Sequence, residues 1–179
     1  MPNKIILHSC CAICSAYPIQ MLKELGYEVV SYFYNPNIFP QDEYQKRLEA
    51  HKKLCAYFEI ELIEGKYDSE AFYEYCKGLE QEPEKGKRCD KCFELRLSET
   101  AKLAKKLGIN EFTTSIVISP HKNFAKLSKL GETVAQEFGL TYKPIDFKKQ
   151  DGFLKTNKIS KSLELYRQNY CGCEFSIRK

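Results

Sequence analysis

The sequence has no long apolar run and no apolar leader, and each absence excludes a class of protein. None of its apolar stretches approaches the roughly 18 residues that a membrane-spanning helix needs. Its first residues run directly into a strand-like segment, without the apolar region of a secretory signal. We therefore expect a cytoplasmic protein with no membrane partner.

Internal repeats and low-complexity tracts are also lacking. Apolar residues make up 43% of the chain and charged residues 29%, which is typical of globular proteins. A length of 179 residues suits one domain of ordinary size. We predict a single α/β domain over residues 1–179.

Strand-like and helix-like segments alternate along the chain. The predicted strands are residues 4–8, 27–34, 59–63 and 112–119, and the predicted helices are 13–25, 42–57, 69–76, 89–107, 124–138 and 160–168. Pro18 lies inside the first helical pattern, so that helix either begins late or is kinked there. Ser69 is the expected cap of the third helix, and residues 79–88 form an exposed loop. The buried-looking strands predict three layers, with helices on both faces of a mostly parallel sheet (a Rossmann-like architecture).

The loop after the first strand occupies the privileged position of such a sheet. Ligands bind beyond the carboxyl ends of the strands, at the point where the strand order reverses. Dinucleotide-binding proteins carry a glycine-rich loop there, whereas this chain reads HSCCAIC over residues 8–14. Because thiols replace the glycines, we expect no dinucleotide cofactor.

Nine cysteines are an abnormal number for a chain of this length in the cytosol, where thiols stay reduced. Their count is odd and they cluster in sequence, unlike a disulfide framework. Two pairs have the spacing of metal ligands, Cys11 with Cys14 and Cys89 with Cys92. Four thiolates suit tetrahedral zinc or an iron–sulfur cluster, and the spacing leaves both open. Cys89 and Cys92 fall near a predicted helix N-terminus, which eases deprotonation.

The remaining cysteines favour redox chemistry over a structural zinc site, which needs only four ligands. A disulfide between Cys171 and Cys173 would close a small, strained ring, and strained disulfides are typical of catalytic use. The alternative is a pair of tail thiols without a redox role. His8 precedes the cysteine loop and is a candidate proton donor or, equally, a hydrogen-bonded structural histidine.

Charge differs between the two halves of the chain. Acidic residues outnumber basic ones in residues 1–90, and the balance reverses in residues 91–179. A basic half suits a phosphate-rich partner, although a solvated lysine-rich surface is an equal alternative.

Several short motifs together resemble one known family. They are HSCCAIC (8–14), YNPNI (34–38), Glu43-Tyr44 with Arg47, RCDKC (88–92), SPHKN (119–123) and YRQNYCGC (166–173). The combination resembles the QueH family, the cobalamin-independent epoxyqueuosine reductases, from end to end. One departure is Ile13, where the family usually has proline. That change alters the stiffness of the loop more than ligation.

This resemblance implies an oxidoreductase that removes the epoxide oxygen of epoxyqueuosine, giving queuosine in tRNA. The reaction uses two electrons and is the last step of queuosine biosynthesis. The implied architecture resembles the nucleotide alpha-hydrolase-like fold. The implied partners are tRNA carrying epoxyqueuosine at the wobble position and an electron donor of unknown identity.

The resemblance also implies roles for individual cysteines. It places a [4Fe-4S] cluster on Cys10, Cys11, Cys89 and Cys92, and a redox-active disulfide between Cys171 and Cys173 in a C-terminal redox tail at about residues 145–179. The spacing argument had instead paired Cys11 with Cys14. Cys14 is left as a candidate, with Asp90 or a tail cysteine, for holding a second, mononuclear iron. A metal or His8 would then activate the epoxide oxygen.

A tRNA anticodon loop offers phosphates to cationic side chains and unstacked bases to aromatic rings. The candidates for phosphate contact are Lys122, Lys126, Lys129, Lys148 and Lys149, and those for stacking are Tyr34, Phe39 and Tyr170. The remaining substrate-binding candidates, taken from the motifs, are Asn35, Asn37, Arg47, His121, Asn123 and Arg167.

Two alternatives come from other functional classes. One is a zinc-stabilised RNA-binding module with structural cysteines, and the other is a thiol-disulfide oxidoreductase that acts on proteins through Cys171 and Cys173. Coloured, iron-containing protein favours the reductase, whereas colourless protein with stoichiometric zinc favours the module. A nucleotide-activating enzyme is disfavoured because the first loop lacks phosphate-cradling glycines.

Overall fold

Five strands and six α-helices alternate in a computed structural model that describes residues 2–177. Met1, Arg178 and Lys179, which belong to the predicted domain and its tail, lie outside the described residues. The strands are β1 (Lys4–His8), β2 (Glu28–Phe33), β3 (Glu61–Glu64), β4 (Glu111–Thr114) and β5 (Thr141–Tyr142). The helices are α1 (Ala12–Glu24), α2 (Gln41–Phe58), α3 (Ser69–Tyr75), α4 (Lys87–Leu107), α5 (Phe124–Phe138) and α6 (Gly152–Ser162). No helix within residues 2–177 is both long and apolar enough to cross a membrane.

The strands form one sheet in the order β3-β2-β1-β4-β5, and each neighbouring pair is parallel. β1 is the central strand, and its side chains from Ile5 to His8 are fully buried. The chain moves from β1 to β2 on one side and later returns to β4 on the other. The strand order therefore reverses between β1 and β4, which places the switch point at the end of β1.

Helices cover both faces of the sheet, as predicted. Ile6 packs with residues of α3, α4 and α5 in one apolar cluster. Ile5 and Leu7 point to the other face, where α1, α2 and α6 pack. Because successive side chains of a strand alternate between faces, a continuous apolar run makes β1 the core of both layers.

The first helix does not begin late. It starts at Ala12 and contains Pro18. The hydroxyl of Thr156, in α6, accepts a hydrogen bond from the Tyr17 backbone N–H at 3.1 Å and donates one to the Ile13 carbonyl. The Thr156 side chain is thus inserted between the N–H of the residue before the proline and the Ile13 carbonyl, and it links α6 to α1.

Two predicted boundaries in the C-terminal half were wrong. The strand predicted for residues 112–119 ends at Thr114, whose hydroxyl accepts from the Ile116 N–H and begins a 3₁₀ turn (Ser115–Ile118). The helix predicted for residues 160–168 is instead α6, eight residues earlier. A Cβ on Gly152 would lie only 1.6 Å from the Phe147 carbonyl oxygen, so glycine is required where α6 begins.

The predicted cap of α3 was also wrong. The cap is Asp68, whose carboxylate accepts from the Ala71 N–H at 3.2 Å, and not Ser69.

The predicted loop is confirmed over residues 79–86, most of which are exposed, and α4 takes up its last two residues. Arg88, in the first turn of α4, is buried. The guanidinium of Arg88 donates to three carbonyl oxygens of that loop, so the polar segment is held in place by one internal cation.

Candidate functional site

Three thiols converge where β1 ends. The sulfur atoms of Cys10, Cys11 and Cys14, here called the thiol trio, all lie within 4.8 Å of one another. Cys11 is the N-cap of α1, and its sulfur accepts a hydrogen bond from the Cys14 N–H at 3.3 Å. The trio therefore occupies the switch point, as the sequence predicts for a ligand-binding loop.

The 3₁₀ turn after β4 holds the trio in place. The Ser115 hydroxyl accepts from the Cys10 N–H at 3.1 Å and lies 3.3 Å from the Cys10 sulfur. The Ser15 hydroxyl donates to the Cys11 carbonyl at 2.6 Å. Ser15 and Ser115 are fully buried, so two buried hydroxyl groups hold the cysteine loop in place.

The three thiols of the trio differ in pKa. Hydrogen bonds from Cys11 and Cys14 lower the pKa of Cys10 well below its usual value, and Arg96 and Ser115 add to this effect. The hydrogen bond to Cys10 raises the pKa of Cys11 to about 12, and contacts with both neighbours raise that of Cys14. The first proton lost from the trio therefore leaves Cys10, and a bound metal would displace the protons of Cys11 and Cys14.

The thiols of Cys89 and Cys92 project from the first two turns of α4. The Cys89 sulfur accepts from the Lys85 N–H at 3.3 Å, and the Cys92 sulfur lies 3.7 Å from Nη1 of Arg96. Burial raises the pKa of both thiols, to about 12 at Cys92, where the charge of Arg96 opposes the shift. The expected ease of deprotonation at this helix terminus is thus outweighed by burial.

Arg96 is the functional residue that the sequence interpretation missed. Its side chain is buried, and Nη2 donates to Oδ1 of Asn35 at 2.9 Å. Its charge acts on Cys10 as well as on Cys92, so the guanidinium links the trio to the thiols of α4. The available signal was its position four residues after Cys92, on the same helix face.

A cavity of about 460 Å³, here called the cysteine cleft, opens above the trio. This volume lies in the range of small-molecule sites and suits a nucleoside. Five of its lining residues carry cationic side chains, namely Arg47, Lys85, Arg96, Lys122 and Arg167. The lining also includes the thiol trio, Phe93, His121, Tyr170 and Cys171.

Arg47 holds the C-terminal segment of residues 166–177, here called the tail, against the cleft. Its buried guanidinium donates to the carbonyls of Tyr170 at 3.0 Å and Cys171 at 2.9 Å, and to Glu43 at 2.9 Å. Gly172, at φ +146°, lies so close that a Cβ would be 3.0 Å from Nη1 of Arg47. Arg47 therefore positions the tail, and its donors are largely taken by protein groups.

The disulfide between Cys171 and Cys173 is not present in the structure. All nine cysteines, which lie within residues 2–177, are free. Cys171 is exposed, and its sulfur lies 3.6 Å from Nζ of Lys122. Cys173 is buried in the apolar cluster that contains Phe72 and Cys76. The two thiols thus lie in different environments.

His8 has the surroundings of a structural histidine. It is fully buried, Nε2 donates to the Tyr34 carbonyl at 3.0 Å, and Nδ1 accepts from the Thr114 hydroxyl at 2.9 Å. Burial, followed by the charge of Arg96, lowers the pKa of His8 to about 3. Within the described chain, His8 is not among the residues that line the cleft.

Three further substrate-binding candidates are also buried away from the cleft. Tyr34 stacks on Tyr32 at 5.8 Å between ring centroids and belongs to the core. The Asn35 amide donates to the Ser9 carbonyl at 2.9 Å. Asn37 lies under Gly172, with Nδ2 3.1 Å from where a Cβ on that glycine would stand. These side chains support the loops around the cleft.

Of the other candidates, some contact protein groups outside the cleft and some lie elsewhere on the surface. Phe39 lies outside the cleft lining, and its carbonyl accepts from the Tyr170 hydroxyl. Asn123 caps α5 by accepting from the Lys126 N–H at 3.0 Å. Lys148 donates to the Val117 carbonyl at 2.9 Å. Lys126 and Lys129 line a neighbouring cavity, and Lys149 is exposed.

A second iron on Cys14 and Asp90 gains no support from this geometry. Oδ1 of Asp90 lies 2.7 Å from Nζ of Lys126 and faces the neighbouring cavity. In the described chain, Asp90 does not belong to the cluster of metal-ligating side chains formed by the trio, and neither do Cys89 and Cys92.

Sequence comparison identifies close relatives. Residues 5–179 match the family model described as Epoxyqueuosine reductase QueH. The protein of that name from Dehalococcoides mccartyi is 40% identical over 98% of this chain and 93% of the relative. The one from Streptococcus pyogenes serotype M1 is 35% identical over 97% of this chain and 70% of the relative.

Solved structures share the fold at low sequence identity. The U34-tRNA thiolase NcsA from Methanococcus maripaludis, solved with its [4Fe-4S] cluster, superimposes with a TM-score of 0.62. The match covers 99% of this chain and 62% of that one, at 15% identity. The predicted architecture, a parallel sheet between helices of the nucleotide alpha-hydrolase-like type, is confirmed.

Proposed function

Because this chain belongs to the QueH family, it is an epoxyqueuosine reductase, and we propose that the cysteine cleft is where the epoxide is reduced. The observation that carries this proposal is the convergence of three thiols at the switch point, beneath a cationic cleft of about 460 Å³. Thiols supply metal and redox chemistry, and cations attract the polyanionic tRNA that carries the nucleoside.

The reaction has a simple balance. Two electrons and two protons enter, both C–O bonds of the epoxide break, a C=C bond forms, and the oxygen leaves as water. The site must therefore hold the epoxide beside a source of electrons and must provide protons to its oxygen.

We infer that Cys10 and Cys11 hold a [4Fe-4S] cluster together with Cys89 and Cys92. An all-thiolate donor set suits iron–sulfur clusters, and Arg96 places a fixed positive charge between the two groups of thiols. The cluster in the structurally similar thiolase supports the capacity of this fold to carry one. When bound, such a cluster supplies electrons singly at low potential. Cys14 is then a fifth thiol at the same site.

The cleft walls suit the nucleoside and its phosphates. Tyr170 offers an aromatic face for the base. Lys122 and Arg167 offer cations for the phosphates of the RNA backbone. Nζ of Lys122 can also donate a hydrogen bond to the epoxide oxygen. Tyr170 and Cys171 depend on Arg47 for their positions. A cytoplasmic location and a single domain with a functional tail at residues 145–179 remain predictions.

The test is turnover by protein reconstituted anaerobically with iron and sulfide. The assay supplies tRNA that contains epoxyqueuosine and a chemical reductant, and mass spectrometry detects the loss of one oxygen atom. We expect Cys89→Ser to lose both the cluster and turnover. The matched control is Cys55→Ser, because Cys55 is a buried thiol in α2 that contacts His51 and not the cleft.

Full turnover without iron would contradict the proposal. Colourless protein with one zinc ion per chain and no turnover would favour the RNA-binding module instead.

A further inference from the structure

A second cavity, of about 470 Å³, lies beside the cysteine cleft. Four lysines line it, and it is here called the lysine pocket: Lys85, Lys122, Lys126 and Lys129. Asp90 is the one carboxylate in its described lining, and it pairs with Lys126. Within residues 2–177, the other three lysines make no salt bridge. With four lysines and one carboxylate in its lining, the pocket therefore carries a net positive charge.

The floor of the lysine pocket is apolar. Phe93 from α4 and Leu127 and Leu130 from α5 provide it, beneath the cationic rim. Nζ of Lys122 lies over the Phe93 ring, 5.4 Å from its centroid, so a cation already stands above this aromatic ring. An apolar and aromatic floor beneath lysines suits a nucleotide, whose base stacks while its phosphate meets the cations. An inorganic anion has no apolar surface to pack against this floor.

The two cavities adjoin each other. Lys85, Phe93, His121 and Lys122 line both of them. An RNA strand that places one nucleotide in the cysteine cleft therefore places an adjoining nucleotide over the shared wall.

We propose that the lysine pocket binds a nucleotide of the tRNA next to the wobble nucleoside, with its phosphodiester on Lys126 and Lys129 and its base against Phe93. This inference rests on the proposed function, because it requires an RNA substrate in the cleft. The pocket is concave and has the volume of a small-molecule site, which fits a single nucleotide better than the convex surface of an acidic protein.

The test measures binding of an unmodified anticodon stem-loop RNA by fluorescence anisotropy over a series of salt concentrations. The variant is Lys126→Gln/Lys129→Gln. The matched control is Lys102→Gln/Lys105→Gln, near the far end of α4, which has the same spacing. Each pair also contains one salt-bridged lysine, Lys126 with Asp90 and Lys102 with Glu99.

We expect the pocket variant to bind about tenfold more weakly, while the control binds like the wild type. The slope of log affinity against log salt should fall by roughly 0.7, because the two lysines share one phosphate and each phosphate contact on a single strand contributes about 0.7. Equal effects in both pairs would overturn the proposal, since they would indicate diffuse attraction.

A second measurement locates the contact. Neutral methylphosphonate linkages are introduced one at a time around the wobble position. We expect one adjoining linkage to weaken binding to the wild type and to have no further effect in the pocket variant. Additive losses at every linkage would overturn the proposal, as would equal RNA binding by the wild type and the pocket variant. Because these RNAs are unmodified and no reductant is present, the result is independent of whether the protein reduces epoxyqueuosine.

Discussion

The thiol trio and the tail are both rich in cysteine, yet the fold treats them differently. The trio sits at the end of the central strand, where buried serines fix the loop and three sulfurs converge within 4.8 Å. The tail is held through its backbone by Arg47, and its two thiols lie in different environments, one exposed and one in the core. The difference shows that close sequence spacing makes a thiol site only where rigid elements aim the side chains at one point.

The largest expected contrast is in iron binding. Cys10→Ser should lower the iron content of reconstituted protein by about tenfold or more, because a ligand is lost from the rigid region. Cys171→Ser should leave the iron content unchanged, because the tail thiol is outside the proposed ligand set. Iron and sulfide analysis measures both. Equal loss in the two variants would break the distinction between the regions.

Arg47 tests how the tail is attached. Arg47→Met should destabilise the protein by about 3–5 kcal/mol, because it leaves Glu43 buried without its partner. Denaturant unfolding measures the loss, and hydrogen exchange should show lower protection in residues 166–177. The double variant Arg47→Met/Glu43→Gln serves as the control and should recover part of the stability. A tail as protected as in the wild type would show that Arg47 does not hold it.

The smallest expected effect is a pH dependence that originates near the trio and not in the tail, which has no histidine. Burial lowers the pKa of His8 to about 3 and that of His51 to about 4. Unfolded histidines titrate near 6.5, so their protonation favours the unfolded state below that pH. The free energy of unfolding is therefore highest above pH 6.5 and falls as the pH drops below it. Each histidine should lower the free energy of unfolding by about 2 kcal/mol between pH 6.5 and pH 5.

Urea unfolding at pH 7 and pH 5 checks this prediction. His51→Gln should remove about half of the pH dependence, whereas His121→Gln should leave it unchanged because His121 is exposed. Equal stability of the wild type at the two pH values would contradict the burial of both rings as neutral groups.

Much of the fold could be predicted from apolar patterning and glycine. The helix predicted for residues 124–138 is confirmed without a shift, since its apolar face is regular and Gly139 ends it at φ +68°. The buried run of β1 likewise predicted the central strand and the loop that bears the trio. α6 was misplaced because polar contacts, above all the Thr156 hydroxyl, attach it to α1 in place of a strong apolar face.

The candidate site was harder to predict, because motif membership does not say where a side chain points. Asn35 and His8 belong to motifs that surround the cleft, yet both are buried and join loops to strands. Arg96 lies outside those motifs and enters the site only because α4 crosses the end of β1. Residue type and spacing identified the thiols, whereas their supports depend on the packing of distant elements.

The most direct measurement is an anaerobic crystal structure of the reconstituted protein. The account predicts one [4Fe-4S] cluster at the end of β1, bound by Cys10 and Cys11 on one side and by Cys89 and Cys92 of α4 on the other. A zinc ion on the thiol trio, or a cluster without a ligand from α4, would contradict it.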